Sequence, residues 1–176
     1  DAAKGVLLDA DIIIYGPGTQ YSSLLPSYLT LGVAEAIEMN AKAEKIFIAN
    51  IARDYDILGE DATTLVRSFL WNMSRKGTYP TVSQKFVTRF FFQKPEVTAS
   101  GETPYVPFNA DEFEYPMEKV RWIDWEGDKG KHSGTKTISE LLILVEDELE
   151  KKVHHLAHRI SIVVPVLDEV RTVKTV

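Results

Sequence analysis

The residues best suited to hold a ligand form a short turn, Gly16-Pro17-Gly18-Thr19, which is closely followed by Tyr21, Ser22 and Ser23. Glycine lets a phosphate or a sugar approach the backbone, and proline stiffens the loop. Backbone amides at the start of a helix, together with nearby hydroxyl groups, suit an anionic ligand. The alternative is a tight connection between a strand and a helix with nothing bound, and the tetrapeptide by itself favours neither.

A second polar group begins at Asn50 and continues through Arg53, Asp54 and Asp56. The Asn50 amide can hydrogen-bond a ligand or cap a turn, and we favour a role in the site. An arginine beside two carboxylates can hold a phosphate group together with a magnesium ion. A charged surface loop is the commoner explanation for such a run, so both interpretations stay open for Arg53, Asp54 and Asp56.

The histidines offer little for metal binding. His154 and His158 have the i, i+4 spacing that can ligate a metal, but no glutamate lies between them in the zincin arrangement. We therefore assign no metal ligands and interpret this segment as a polar linker helix. His132, in the segment GDKGKHSG, could act as an acid–base group, although a solvated turn histidine is the commoner case.

Aromatic residues concentrate in two later segments, residues 89–92 (RFFF) and 120–125 (VRWIDW). Exposed rings in this pattern could form a platform on which bases stack. Buried aromatic residues in strands are far more common, so we expect these side chains to belong to the core.

The candidate ligand-binding residues lie where two predicted strands end. A strand over Asp11–Tyr15 stops at the glycine turn, and a second strand over Lys45–Asn50 ends at the asparagine. Apolar residues at helical spacing over residues 33–41 predict a crossover helix between them. A strand, a helix and a strand in this order make up the unit of a parallel sheet, which binds ligands at the carboxyl ends of its strands.

Further elements complete an α/β pattern. Strands are predicted over residues 84–93, 120–125 and 160–164, and helices over residues 19–25, 62–75 and 137–157. Short apolar strands alternating with helices predict a Rossmann-like, mostly parallel sheet flanked by helices.

Composition narrows the class of protein. The chain has 176 residues, enough for one domain with a core, and 20 Lys+Arg against 26 Asp+Glu give a formal net charge of −6. An acidic chain is a poor candidate for binding nucleic acid. The sequence contains no cysteine, which excludes thiolate chemistry and fits a cytoplasmic location, and no apolar run in it is long enough to cross a membrane.

Residues 10–37, ADIIIYGPGTQYSSLLPSYLTLGVAEAI, resemble the 2-phospho-L-lactate transferase (CofD-like) family, which includes the gluconeogenesis-factor proteins. The family pattern is a strand, GPGS or GPGT, a tyrosine, a serine, a proline and a helix that begins Gly-(Ile/Val)-Ala-Glu-Ala-Ile. The matching positions are Gly16, Pro17, Gly18, Thr19, Tyr21, Ser23, Pro26, Gly32, Ala34, Glu35 and Ala36. Asn50 also matches, and His132 with the helix after it resembles the family's closing His-Asp-Pro segment.

The resemblance implies two functions. One is a transferase that moves a phosphate-linked group from a nucleotide diphosphate donor to an acceptor hydroxyl with the aid of Mg²⁺, with residues 16–23 against the phosphate or the acceptor. The other is a regulatory module that holds a nucleotide sugar without turning it over, as in the gluconeogenesis-factor branch.

The chain departs from the family pattern in two places. After Asn50 only Gly59-Glu60 of the usual loop is kept. The family's glycine-rich first loop and its amino-terminal acidic residues have no counterpart here. We therefore expect residues 1–150 to be the carboxyl-terminal half of a CofD-like domain, inactive alone and partnered by the missing amino-terminal half.

The end of the chain carries a second resemblance. Residues 158–173, HRISIVVPVLDEVRTV, are similar to the opening strand of family-2 glycosyltransferases, with Asp168-Glu169 in place of Asn-Glu. This implies a linker over residues 151–159 and a fusion in which residues 160–176 begin a glycosyltransferase domain. The alternative is an ordinary last strand of the same sheet.

Overall fold

The computed structural model describes residues 2–74, 83–95, 104–151 and 160–163. The strands are β1 (Ile12–Tyr15), β2 (Glu44–Ile48), β3 (Arg89–Gln93), β4 (Val120–Ile123), β5 (Glu126–Asp128), β6 (Lys131–His132) and β7 (Ile160–Val163). Five of them form one parallel sheet in the order β4-β3-β2-β1-β7. The strands β5 and β6 form a separate antiparallel hairpin.

Helices connect and cover the strands. The α-helices of the described residues are α1 (Ala2–Asp9), α2 (Leu25–Tyr28), α3 (Val33–Met39), α4 (Ala62–Met73), α5 (Ser83–Phe86) and α6 (Gly134–Lys151). A π-helical turn, Gln20–Leu24, leads into α2. No helix in these ranges combines the length and the apolar character needed to span a membrane.

Successive side chains of a strand point to opposite faces of the sheet. Both faces of this sheet are covered by packed side chains. On one face, Ile13 and Tyr15 of β1 belong to a cluster with residues of α1 to α5. On the other face, Ile12 and Ile14 pack in a cluster that includes Leu144 of α6. The central strand β1 is therefore apolar throughout, which explains the short apolar run Ile12–Tyr15 in the sequence.

The predicted α/β class and the parallel sheet are confirmed, with local differences. Residues 83–86 are helical, so the third strand begins only at Arg89. Pro26 lies in the first turn of α2 and does not end a helix, because proline is tolerated where the amide has no helical partner. The segment GDKGKHSG, residues 127–134, in which a turn was expected around His132, contains most of the β5–β6 hairpin.

The expectation that the aromatic segments belong to the core is confirmed for four residues. Phe90, Phe91, Phe92 and Trp125 are buried, while Trp122 is half-buried and packs on the rings around it.

The strand predicted near the end of the chain pairs with β1, with Ile12 opposite Ile160. It therefore lies in the same sheet as the rest of the chain, which is the arrangement expected of an ordinary last strand. Residues 152–159, with His154 and His158, and residues 164–176, with Asp168-Glu169, lie outside the described residues. The glycosyltransferase resemblance of this end stays a prediction.

Candidate functional site

An open cleft of about 560 Å³ lies at the carboxyl ends of β1 and β2. Three segments line it: the glycine turn after β1, the loop after β2, and the β5–β6 hairpin. The lining residues are Pro17, Gly18, Thr19, Asn50, Ile51, Ala52, Arg53, Asp54, Lys129, Gly130, Lys131 and His132. The position is the one at which open parallel sheets bind their ligands.

Asn50 holds the first two segments together. The backbone amide of Gly18 donates to Asn50 Oδ1 at 3.3 Å, and Asn50 Nδ2 donates to Asp54 Oδ2 at 3.1 Å. The other Asp54 oxygen accepts from the amide of Asp56 at 2.9 Å and caps the following helical turn. The Asn50 side chain therefore sets the relative position of the two loops that form one wall of the cleft.

Two predicted ligand residues, Tyr21 and Ser22, do not line the cleft and instead hydrogen-bond the loop after β2. The Tyr21 hydroxyl donates to the Glu60 carboxylate at 2.7 Å. Burial, and to a lesser extent this hydrogen bond, raises the pKa of Tyr21 to about 12. The amide of Ser22 donates to Asp56 Oδ2 at 3.0 Å. The carboxylate of Asp56 thus occupies the amide that an anionic ligand would otherwise use.

The hairpin forms the other wall, and Glu126 fixes its tip. This buried carboxylate accepts hydrogen bonds from the Tyr105 hydroxyl at 2.5 Å and from the amide of Gly130. Gly130 has a positive φ of 77°, and a Cβ there would lie 2.3 Å from the Ala52 Cβ. The hairpin can therefore approach the loop after β2 this closely only with a glycine at its tip.

His132 lies at the base of the hairpin, with its ring edge-on to Trp125 at 4.8 Å between centroids. Burial lowers the pKa of His132 to about 4. Both ring nitrogens are buried and have no hydrogen-bond partner among the described residues. The expectation of a solvated turn histidine is wrong, because His132 lies in β6 and both of its ring nitrogens are buried.

The cleft carries more positive than negative side chains. Arg53, Lys129 and Lys131 line it together with a single carboxylate, that of Asp54. The Nε atom of Arg53 is buried and has no hydrogen-bond acceptor within the described residues. An arginine in this state suits a phosphate or carboxylate ligand.

The described residues do not fit a magnesium site. No group of three or more His, Asp or Glu side chains in these ranges could hold a metal ion. Asp54 and Asp56 already accept hydrogen bonds from the surrounding loops.

A sequence model of the family described as 2-phospho-L-lactate transferase CofD matches residues 1–124. The chain belongs to the CofD family. The gluconeogenesis factor of Bacillus subtilis is 26% identical over 168 residues, which cover 93% of this chain and 45% of that protein. The gluconeogenesis factor of Halalkalibacterium halodurans is 45% identical over 42 residues, 24% of this chain and 13% of that protein.

Solved structures agree on the fold of this CofD-family chain. Two crystal structures of a UPF0052-family protein from Bacillus halodurans match 80% of this chain and 46% of the solved chain. One has a TM-score of 0.61 at 17% identity, and the other a TM-score of 0.63 at 19% identity. The chain thus spans less than half the length of the Bacillus subtilis relative and of the solved protein.

The structure brings together only part of the predicted site of the CofD-family chain. Of the predicted ligand residues, those that line the cleft are Pro17, Gly18, Thr19, Asn50, Arg53 and Asp54. Those that do not line it are Gly16, Tyr21, Ser22, Ser23 and Asp56. Sequence reasoning missed Lys129 and Lys131, for which the only signal was the pair of lysines around a glycine in GDKGK.

Proposed function

We propose that the cleft of this CofD-family chain binds the phosphate groups of a nucleotide diphosphate or a nucleotide sugar. The observation that carries the proposal is the buried Arg53 Nε without an acceptor, on the wall of a cleft that two lysines also line. Charge-assisted hydrogen bonds from arginine to phosphate are among the strong polar contacts of proteins. The glycine turn adds a backbone surface that a phosphate can approach closely.

For the intact protein we propose transfer of a phosphate-linked group from a nucleotide diphosphate donor to an acceptor hydroxyl. The support is membership of a family described as a transferase. The described residues would contribute the anion-binding wall, in which Arg53, Lys129 and Lys131 contact the phosphates. Magnesium and its ligands would come from the amino-terminal half of the domain, which we propose as the partner of residues 1–150.

A regulatory role is the second candidate, and the names of the curated relatives favour it. Both reported relatives are called gluconeogenesis factors. In this case the cleft holds a nucleotide sugar without turnover, and the same arginine and lysines contact its phosphates. Phosphate binding is common to both candidates, so it is the property to test first.

The decisive variant is Gly18→Asp, which places a carboxylate in the cleft. A Cβ at this position would lie 3.2 Å from the Leu24 Cδ2, so a small shift of a flexible side chain accommodates it. We expect the variant to lose binding of nucleoside diphosphates in calorimetry because the new charge repels the phosphates.

The neutral, equally large Gly18→Asn variant is the matched control and should keep most of the affinity. Equal affinity of the wild-type protein and the aspartate variant would show that the phosphates bind elsewhere. Equal loss in both variants would point to steric damage of the turn rather than to charge.

A further inference from the structure

A second pocket, of about 310 Å³, adjoins the phosphate cleft. Asn50, which follows β2, lines both cavities, so the two lie beside the same residue. Four aromatic side chains are among the residues that line the second cavity, which we call the aromatic pocket. Its principal lining residues are Phe92, Tyr105, Phe108, Trp122 and Ala62.

The rings of the aromatic pocket hold one another in place. Phe108 packs edge-on against Trp122 with centroids 4.9 Å apart, and Phe92 contacts Phe108 at 5.1 Å. Phe108 and Trp122 are only half-buried, so part of each ring is open to the cavity. These contacts give a preformed surface, which costs a ligand little ordering on binding.

The polar environment of the pocket is asymmetric. The Tyr105 hydroxyl is directed to Glu126, the same carboxylate that fixes the hairpin of the phosphate cleft. On another side, the exposed Lys94 and the Gln93 amide lie at the end of β3. A cavity with aromatic walls and a few polar groups at its edge is typical of sites for planar, heteroatom-bearing rings.

We propose that the aromatic pocket binds the nucleobase of the ligand whose phosphates occupy the cleft. This rests on the proposed function, and it adds where the base lies and which side chains hold it. A nucleoside diphosphate has an aromatic ring at one end and charged phosphates at the other. These match the aromatic lining of one cavity and the basic lining of its neighbour. Stacking on Phe108 or Trp122 does not require a particular base, because every nucleobase has a flat π-face.

The test compares Phe108→Leu with Phe113→Leu. The two phenylalanines belong to the same aromatic cluster, 5.1 Å apart between centroids, but only Phe108 lines the pocket. We expect Phe108→Leu to weaken binding of UDP, GDP or ADP, whichever binds wild type most tightly, by about tenfold or more. Binding of inorganic pyrophosphate, which has no base, should stay unchanged.

A second variant keeps the test valid if Phe108→Leu lowers stability. Ala62→Leu fills the pocket from the first turn of α4 and should weaken nucleotide binding while pyrophosphate binding persists. Phe113→Leu should leave the affinities for both ligands unchanged.

The outcomes separate this inference from the proposed function. Wild-type affinity for the nucleotide in Phe108→Leu and Ala62→Leu, with binding still lost in Gly18→Asp, overturns the aromatic pocket alone. Failure of the wild-type protein to bind any nucleoside diphosphate overturns both. An equal loss of pyrophosphate and nucleotide binding in Phe108→Leu also overturns it, since the variant would then act on the phosphate cleft.

Discussion

Two buried tyrosines show how far the core departs from simple hydrophobic packing. Tyr15 and Tyr28 stack edge-on with centroids 5.3 Å apart, and both contact Phe69. Neither hydroxyl has a hydrogen-bond partner in the described part of the chain. Burial raises the pKa of both tyrosines. Such hydroxyls lose their contact with water on folding and receive no compensating bond.

We therefore expect Tyr28→Phe to raise the free energy of unfolding by about 1 kcal/mol, because it removes an unsatisfied buried group. Urea denaturation with an unchanged m-value measures the effect. The control is Tyr21→Phe, which loses the 2.7 Å bond to Glu60 and should be destabilised. If Tyr28→Phe lowered the free energy of unfolding as much as Tyr21→Phe does, the Tyr28 hydroxyl would have a hydrogen-bond partner.

At the scale of elements, the β5–β6 hairpin forms one wall of the cleft. The two strands of the hairpin are short, and side-chain hydrogen bonds add to their pairing. Glu126 accepts from the Gly130 amide at the tip, and Lys136 Nζ donates to the Glu126 carbonyl at 3.0 Å. The lysines of the hairpin reach the cleft only because this short element folds back over the loop after β2.

Gly130→Ala is expected to lower the free energy of unfolding by about 1–3 kcal/mol. The added Cβ would meet the Ala52 Cβ at 2.3 Å, and the positive φ of 77° disfavours any L side chain. Thermal or urea denaturation provides the measurement. Gly134→Ala, at the start of α6, meets no atom within 4 Å and should be neutral or slightly stabilising. Equal stability of the two variants would contradict the close approach.

Over the whole molecule, burial of one lysine makes stability depend on pH. The Lys45 side chain is buried in β2 and donates to the Lys85 carbonyl at 2.6 Å. Burial lowers the pKa of Lys45 from 10.5 to about 8, although the nearby charge of Glu38 counteracts this. The folded state therefore holds this proton less tightly than the unfolded chain does, which costs stability at neutral pH.

We expect the free energy of unfolding to rise between pH 8 and 10 and to fall above pH 10. The rise, on the order of 2 kcal/mol, follows from deprotonation of Lys45 in the folded state. The fall follows because the unfolded chain ionises Tyr15 and Tyr28 near pH 10 while the folded state resists it. Urea denaturation at a series of pH values tests this.

Lys45→Met should abolish most of the rise. The variant Lys85→Met, which loses the ion pair of this half-exposed lysine with Glu38 but keeps the backbone carbonyl that Lys45 contacts, should keep the rise. If the free energy of unfolding of Lys45→Met still rose between pH 8 and 10, another titrating group would be responsible for the rise.

The sequence by itself determined the parallel sheet and the location of the cleft. Central parallel strands must be apolar on both faces, so Ile12–Tyr15 is visible as a strand without any knowledge of its neighbours. The glycine turn after it is equally local, because close backbone approach requires glycine at particular positions. Family resemblance around this turn was also correct, as the CofD match over residues 1–124 shows.

The tertiary structure decided which side chains line the cleft. Tyr21 and Ser22 follow the glycine turn in sequence, yet Glu60 and Asp56 hold them outside its lining. Lys129 and Lys131 are far away in sequence, yet the hairpin brings them to the cleft. Hydrogen bonds and contacts between distant residues set these positions, and no local pattern of residue types encodes such pairings.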